Sequence, residues 1–323
     1  MQVITKDFIK SKRVLLRVDI DVPLEKGKVI EDFRLKALLP TLRICLENAS
    51  RVIMIGHIGR PQGKVVEELR VSLVVDWLKS QGYERVLGSG KLKVLENLRF
   101  DRREDSLDES FAKELALKGD VFVNEAFAAY HQAVSTTVLP TLLPHAAGLH
   151  FAKEVKVLTG VRNNPKKPFV VIMGGVKVKD KLPVIEVLSK KADAVLIGGK
   201  LIHEIKEQNV ILSHNVMVGK LNEDGFDISS DTTESWRNLI IGAAQIIWNG
   251  PMGKFEDPKN DQTKKVAEIV VESGAETIVG GGDIIAALNQ AGLLNKISFV
   301  SVGGGAMLKF LADGTLPTIK ALS

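Results

Sequence analysis

The sequence predicts an α/β protein of two globular lobes, each a parallel sheet with helices on both faces. Three observations predict it. With 323 residues, 45% of them hydrophobic, the chain carries more apolar material than one ordinary core takes up. Short β-rich runs alternate with helix-length amphipathic stretches, the pattern of parallel sheets covered by helices. The alternation weakens once, between Pro140 and Pro168, where a domain boundary belongs.

In chain order the β-rich runs before the boundary are Arg13–Ile20, Arg51–Ile55, Lys93–Leu98 and Val121–Val123. After it come Phe169–Met173, Ala194–Ile197, Ile246–Trp248, Thr277–Val279 and Ile297–Val302. Between many of them lie amphipathic stretches of helical period: Leu69–Lys79, Ser110–Leu117, Pro183–Lys190, Thr263–Ser273 and Ile284–Ala291. A helix-like Ala152–Thr159 leads into the Pro-rich boundary segment. The lobes are therefore expected at 1–155 and 156–309, the C-terminal tail from about 310 to 323 being free to pack back on the first. No period of 20–50 residues repeats, and no segment is of low complexity.

Charged residues make up 26% of the chain and aromatics 5%, and no apolar run approaches the ~18 residues a membrane helix needs. A soluble protein is expected. The N-terminus lacks the features of a secretion signal, and Cys45 is the only cysteine, which fits a reducing cytoplasm without disulfides or cysteine metal sites. The net charge of +5 resides in the first half, where residues 1–165 hold 26 Lys+Arg against 21 Asp+Glu, while 166–323 hold 18 against 18. Twelve of the thirteen arginines precede residue 163, and only Arg237 follows. Arg makes two-pronged contacts to carboxylate and phosphate and Lys acts as a point charge, so the asymmetry suggests two different anion sites; drift in Arg/Lys usage is the plainer alternative. Nucleic-acid binding is disfavoured, because the excess is small and no basic-aromatic alternation accompanies it.

The halves end their strands differently. In the second, apolar runs end in Gly174–Gly175, Gly198–Gly199, Gly280–Gly282 and Gly303–Gly305. Glycine there lets backbone N–H groups approach a ligand while the next helix aims its positive end at phosphate, the place where open α/β sheets bind nucleotides. Each alone could be a tight turn. In the first half the strand ends carry Arg17, Asp19 and Asp21, then His57 and Arg60, then Arg99, then Asn124 and Glu125. Strand alternation puts Arg17, Asp19 and Asp21 on one face. The cluster reads as a small-anion pocket at strand carboxyl ends, with a solvated ion-pair edge as the alternative.

At this point the residues resemble a known family. Arg17-Val-Asp-Ile-Asp-Val-Pro23, Asp32-Phe-Arg34, Leu39-Pro-Thr41, Gly56-His-Ile-Gly-Arg-Pro-Gln-Gly63, Leu95-Glu-Asn-Leu-Arg-Phe100 and Asp120-Val-Phe-Val-Asn-Glu-Ala-Phe127 resemble motifs of phosphoglycerate kinases, in the family's order. So do Gly174-Gly-Val-Lys-Val-Lys-Asp-Lys181, Trp248-Asn-Gly-Pro-Met-Gly-Lys-Phe-Glu256, Gly280-Gly-Gly-Asp283 and Ser301-Val-Gly-Gly-Gly305. Together they span nearly the whole chain. The resemblance implies two doubly wound parallel-sheet (Rossmann-like) lobes joined by a hinge. It implies a cytoplasmic monomer that moves a phosphoryl group between 1,3-bisphosphoglycerate and ADP with Mg2+, in glycolysis and gluconeogenesis, with no nucleic-acid or membrane partner. It assigns the phosphoglycerate to Arg17, Asp19, Asp21, Arg34, His57, Arg60, Arg99 and Gln132. The nucleotide is assigned to Lys177, Lys181, Gly199, Asn249, Glu256, Gly280, Gly281, Gly282 and Asp283, with Glu256 at the ribose and Asp283 holding the metal. Arg34, Lys177, Gly281 and Gly304 are implied at the transferring group. Phosphoryl transfer runs through a loose, in-line transition state, so the protein must position its ends and neutralise spreading charge; no covalent residue is needed.

Some positions depart from the family. Asp21 stands where Asn is usual, Gln132 where Arg follows His131, Ile284 where Ser or Thr follows the magnesium Asp, and Val302 where Thr is usual. The chain is also short, with most of the loss between Gly199 and Trp248, which bears on the adenine pocket. A catalytically weak, regulatory relative is the alternative these departures leave open. A dehydrogenase or common phosphate-loop kinase is not, since neither G-x-G-x-x-G nor G-x-x-x-x-G-K-[ST] occurs.

Overall fold

The computed structural model of the chain describes residues 1–25, 27–175, 178–207 and 212–323. Two compact units make it up, Met1–Lys156 with Thr315–Ser323, and Val157–Gly314.

In the first unit the strands β1 (Arg13–Arg17), β4 (Arg51–Ile55), β5 (Leu92–Val94), β6 (Val121–Asn124) and β7 (His145–Ala147) form a sheet in the order β5-β4-β1-β6-β7, every pair parallel. Between β1 and β4 the chain makes a small antiparallel hairpin of β2 (Leu24–Glu25) and β3 (Lys28–Val29). The sheet is buried on both faces, so its strands are apolar runs without alternation: Val14, Leu15 and Leu16, like Val121, Phe122 and Val123, have no exposed surface. One core packs Leu16, Met54 and Val123 against Leu38, Leu42 and Cys45 of the helix Phe33–Asn48. That helix runs on through Pro40, a residue that discourages a helical reading of the sequence. The expected strand Lys93–Leu98 is shorter than its β-rich run, because the chain leaves the sheet after Val94 and turns at Leu98–Phe100.

In the second unit β8 (Phe169–Met173), β9 (Ala194–Ile197), β10 (Val216–Val218), β11 (Gln245–Asn249), β12 (Glu276–Gly280) and β13 (Phe299–Ser301) lie in the order β10-β9-β8-β11-β12-β13, again all parallel. Trp236 and Trp248 anchor a core with Ile172, Ile246 and Val266. Numbered by appearance within the sheet, the order is 3-2-1-4-5-6, the doubly wound dinucleotide-type arrangement. Leaving out the hairpin, the first unit winds 3-2-1-4-5 in the same sense. Each sheet therefore reverses its winding once, between β1 and β6 and between β8 and β11. At such a reversal the loops leaving two neighbouring strands diverge to opposite faces and open a crevice at their carboxyl ends.

Candidate functional sites

The crevice of the first unit is built by residues following β1, β4, β5 and β6. Register places Arg17 opposite Ile55 and Asn124, so the next residues of each strand converge. His57 follows β4 and is buried. Its ring is held well below the ordinary histidine range by burial and by Arg17, Arg99, Arg34 and Arg60, four cations from separate segments acting on one imidazole. Asp21 Oδ1 accepts the Gly59 N–H at 2.9 Å, and Arg34 Nη1 donates to the Asp21 carbonyl at 2.5 Å while lying 3.7 Å from Asp19 Oδ1. Burial raises the Asp19 carboxyl, an effect Arg34 opposes and Asp21 reinforces; its Oδ2 is buried without a hydrogen-bond partner. Arg99 donates to the Gly59 carbonyl at 2.9 Å and to Asp105 at 3.2 Å. Arg60 is exposed. Gln132 is also exposed, beside His131, whose ring is lowered by burial, Arg60 and Arg99. The surplus of cations over the two carboxylates makes this a site for a small polyanion.

Arg17 is placed differently from the expectation that it contacts ligand. It has no exposed surface, and its donors are engaged by Ser135 Oγ at 2.8 Å, the Val18 carbonyl and His57 Nδ1 at 2.6 Å. Alternation predicts which face a side chain takes, but it does not reveal that Ser135 and His57, from distant segments, engage this one. Residues outside the sequence assignment complete the site. Asn97 holds the 56–60 loop, its Oδ1 accepting from Ile58 and Arg99 N–H at 3.2 and 3.1 Å and its Nδ2 donating to the Ile58 and Leu69 carbonyls at 2.8 and 3.0 Å. Asn97 lies within the Leu95–Phe100 motif, though no local pattern marks an amide as a loop clamp. Glu104 and Ser135 lie behind Arg17.

The second unit carries a cavity of about 410 Å³ at the carboxyl ends of its strands. Its wall includes Gly175, Gly199, Pro251, Glu256 and Asp283, with Lys200, His203, Phe226, Lys254 and Phe255. Gly199, Glu256 and Asp283 thus meet at one cavity. Glycine is required where the loops touch: at Gly250, with φ +83°, a Cβ would sit 2.4 Å from the Gly174 carbonyl oxygen, and at Gly199, with φ +63°, 2.8 Å from the Gly175 nitrogen. Asn249 donates to the Gly280 carbonyl. A Cβ on Gly304 would lie 2.5 Å from Gly281 Cα, so the loops opening the helices Gly282–Gln290 and Gly304–Asp313 lie against each other. Lys181, assigned to nucleotide phosphates, is buried with its ammonium donating to the Gly174 carbonyl. Lys177 lies outside the described residues. Asp283 is exposed in the first turn of its helix.

Asp227, which the motifs did not single out, braces this wall. It is buried, its Oδ1 accepts the Ile228 N–H at 2.8 Å and its Oδ2 the Gln262 N–H at 3.0 Å. Burial pushes its carboxyl up to about 6.

Among the described residues no three His, Cys, Asp or Glu side chains converge as a ready metal cage. The Asp283 carboxylate at the cavity wall, with Glu256 the other carboxylate lining it, fits Mg2+, which prefers one or two carboxylates plus substrate phosphates.

Comparison with known proteins places these features. The family model for phosphoglycerate kinase matches residues 4–217 and 202–314. A phosphoglycerate kinase of Roseiflexus castenholzii is 37% identical over 97% of this chain and 96% of its own length, and one of Moorella thermoacetica is 36% identical over 98% and 97%. The structure of phosphoglycerate kinase from Coxiella burnetii superposes with a TM-score of 0.81 at 30% identity, covering 97% of this chain and 96% of that one. That from Pyrococcus horikoshii gives 0.86 at 27%, covering 100% and 98%. The first of these alignments runs over 381 positions against 323 residues in this chain, so the relatives carry sequence that it lacks.

Proposed function

The chain belongs to the phosphoglycerate kinase family, and from that premise we propose how its pockets divide the substrates. The enzyme moves a phosphoryl group between 1,3-bisphosphoglycerate and ADP, giving 3-phosphoglycerate and ATP, the family's glycolytic step. The first unit takes the phosphoglycerate. The supporting observation is the convergence of Arg17, Arg34, Arg60 and Arg99 on His57, which suits a ligand with phosphate at one end and carboxylate at the other. Arg34, Arg60, Arg99, His57 and Gln132 touch that ligand, Asp19 and Asp21 face its hydroxyl side, and Arg17 works from behind.

The nucleotide occupies the cavity of the second unit. Glu256 accepts from the ribose hydroxyls, Gly199 lets the ligand close on the backbone, and Lys181 with Asn249 and Gly280–Gly282 forms the phosphate end. N–H groups at the starts of the two helices point to phosphate oxygens. Asp283 would hold Mg2+, which would supply positive charge to offset that of the phosphates. Arg34 and Lys177 supply cationic charge to the transferring group, and Gly281 and Gly304 supply backbone N–H groups. A buried, largely neutral His57 donates one hydrogen bond without adding charge. The molecule works as a cytoplasmic monomer without nucleic-acid or membrane partners; among the described residues no helix is long and apolar enough to cross a membrane.

The test is ATP consumption with 3-phosphoglycerate, coupled to reduction of the acyl phosphate product, alongside calorimetric binding of each substrate. Turnover that needs both substrates and Mg2+ is expected. Binding of phosphoglycerate and nucleotide without turnover would establish the regulatory alternative, for which Gln132 is the observation.

A further inference from the structure

Behind the phosphoglycerate pocket lies a buried hydrogen-bonded chain that the family motifs do not account for. Glu104, 1% exposed, accepts the Ser135 hydroxyl on Oε1 at 2.5 Å and the Ser135 backbone N–H on Oε2 at 3.1 Å. The same Ser135 Oγ accepts Arg17 Nε–H at 2.8 Å. Arg17, with no exposed surface, then contacts His57 Nδ1 through Nη2 at 2.6 Å. The direction of every link is fixed by donor chemistry. A guanidinium has five N–H groups and no acceptor, so Nδ1 must offer its lone pair and the ring proton must sit on Nε2. Ser135 Oγ receives one N–H from Arg17, so its own proton turns to Glu104.

We propose that Glu104 and Ser135 are positioning residues for the phosphoglycerate site, which through Arg17 fix the tautomer and orientation of His57 and present its Nε2–H to an anionic oxygen of the substrate. The inference rests on the substrate assignment above. Glu104 supplies the negative charge that allows a guanidinium to be buried there, and Ser135 converts that charge into a direction. Arg17, Arg34, Arg60 and Arg99 face His57, and Arg17 and Asp105 face Glu104. In a pocket where cations outnumber carboxylates, an imidazole free to rotate could equally turn its unprotonated nitrogen toward the ligand. The chain removes that choice.

The experiment labels the histidine rings of the whole enzyme with 15N and identifies the His57 signals by their loss in His57→Gln. In the wild type at neutral pH, one protonated and one unprotonated nitrogen are expected, assigned to Nε2 and Nδ1. In Ser135→Ala the two signals should move toward the average of exchanging tautomers, and the KM for 3-phosphoglycerate should rise roughly ten-fold while that for ATP stays put. Ser135→Thr, which keeps the hydroxyl, should restore both. Should Ser135→Ala not fold, Glu104→Gln keeps the shape, removes the charge and carries the same readouts. A wild-type ring protonated on Nδ1, or a folded variant whose ring signals match the wild type, overturns the proposal. Failure of the enzyme to use phosphoglycerate at all would overturn the substrate assignment instead, while the ring signals would still decide whether the chain fixes the tautomer.

Discussion

The Gly59 backbone N–H donates to Asp21 Oδ1 at 2.9 Å, tying the loop after β4 to the residue that stands where the family usually has Asn. An amide oxygen accepts that bond as well as a carboxylate does, so the loop does not need the charge. The charge instead acts on Asp19 and Arg17 within the anion pocket, where it weakens the pocket's hold on an anion. Asp21→Asn should therefore keep the fold and lower the KM for 3-phosphoglycerate by a factor of about five, the scale of ~1 kcal/mol between partly solvated like charges. Steady-state kinetics decide it: an unchanged or higher KM would mean that the ionised carboxylate contacts the substrate favourably.

Arg34 opens the helix Phe33–Asn48 from a partly exposed position, with one guanidinium nitrogen held by the Asp21 carbonyl. Such a group is preorganised before substrate arrives. Arg34→Ala should lower turnover by roughly two orders of magnitude or more, with a smaller effect on substrate binding. Near-normal kcat in a variant with a native circular dichroism spectrum would remove Arg34 from the transfer step.

An acidic side chain at the start of a helix can cap its N-terminus instead of holding a metal. The N-cap of Gly282–Gln290 is Gly281, with no side-chain cap bond, so Asp283 contributes only a first-turn charge worth a few tenths of a kcal/mol to about 1 kcal/mol. Asp283→Asn should hold Tm within a few degrees and depress activity at low Mg2+ severely, with partial recovery as Mg2+ is raised. Equal activity at every Mg2+ concentration would show that the metal is held elsewhere.

How far the sequence disclosed this molecule varies with the kind of interaction. The parallel sheets were legible because strands buried on both faces are apolar runs, as in Phe169–Met173, which shows no exposed alternate residue. The short edge strands His145–Ala147 and Val216–Val218 were not, since three residues carry no period. Glycine pairs at strand ends marked the cavity of the second unit, for a glycine forced by contact, such as Gly250 against Gly174, leaves a trace in the sequence. Asp227, Asn97 and Glu104 were not read from the sequence as site residues. Each acts through partners distant in the chain, such as Gln262, Leu69 and Ser135, and only folding brings those together.

Glu125 couples three segments: Oε1 accepts the Thr41 hydroxyl at 2.6 Å and the His150 N–H at 3.0 Å, and Oε2 the Phe151 N–H at 3.0 Å. Burial dominates nevertheless and pushes the carboxyl from 4.5 up to about 7, against those hydrogen bonds. The folded state then holds this proton more tightly than the unfolded state. The stability the group contributes is complete below pH 4.5 and lost as pH rises through about 7. Glu125→Gln cannot titrate, so whatever constant cost the amide carries, variant minus wild-type stability should rise between about pH 5 and about pH 8, by an amount on the order of 3 kcal/mol at most. Urea unfolding at both pH values measures it; a flat difference would mean that the carboxyl ionises in the fold as readily as in the unfolded chain.

Gln132 gives the sharpest test of the phosphoglycerate site. It is exposed, next to His131, whose ring senses Arg60 and Arg99, so a longer cationic side chain there would point into space already positive. A neutral amide donates a hydrogen bond to an anion but adds no charge. Gln132→Arg should bring a charge-assisted contact worth at most about 1.5–3 kcal/mol, a gain of roughly ten-fold or more in phosphoglycerate affinity. Repulsion from Arg60 and Arg99 opposes it in the empty site and vanishes once the polyanion is bound, so the gain should appear in the KM for 3-phosphoglycerate and leave that for ATP alone. Added salt should erode it, because a site that admits substrate is partly solvated and its charges are screened beyond about 10 Å at 0.1 M. Kinetics of both forms at two ionic strengths separate the outcomes. If the Arg variant gains nothing at low salt, a cation already present, with Arg102 and Arg103 the nearest in sequence to Arg99, fills the space the family gives to its arginine.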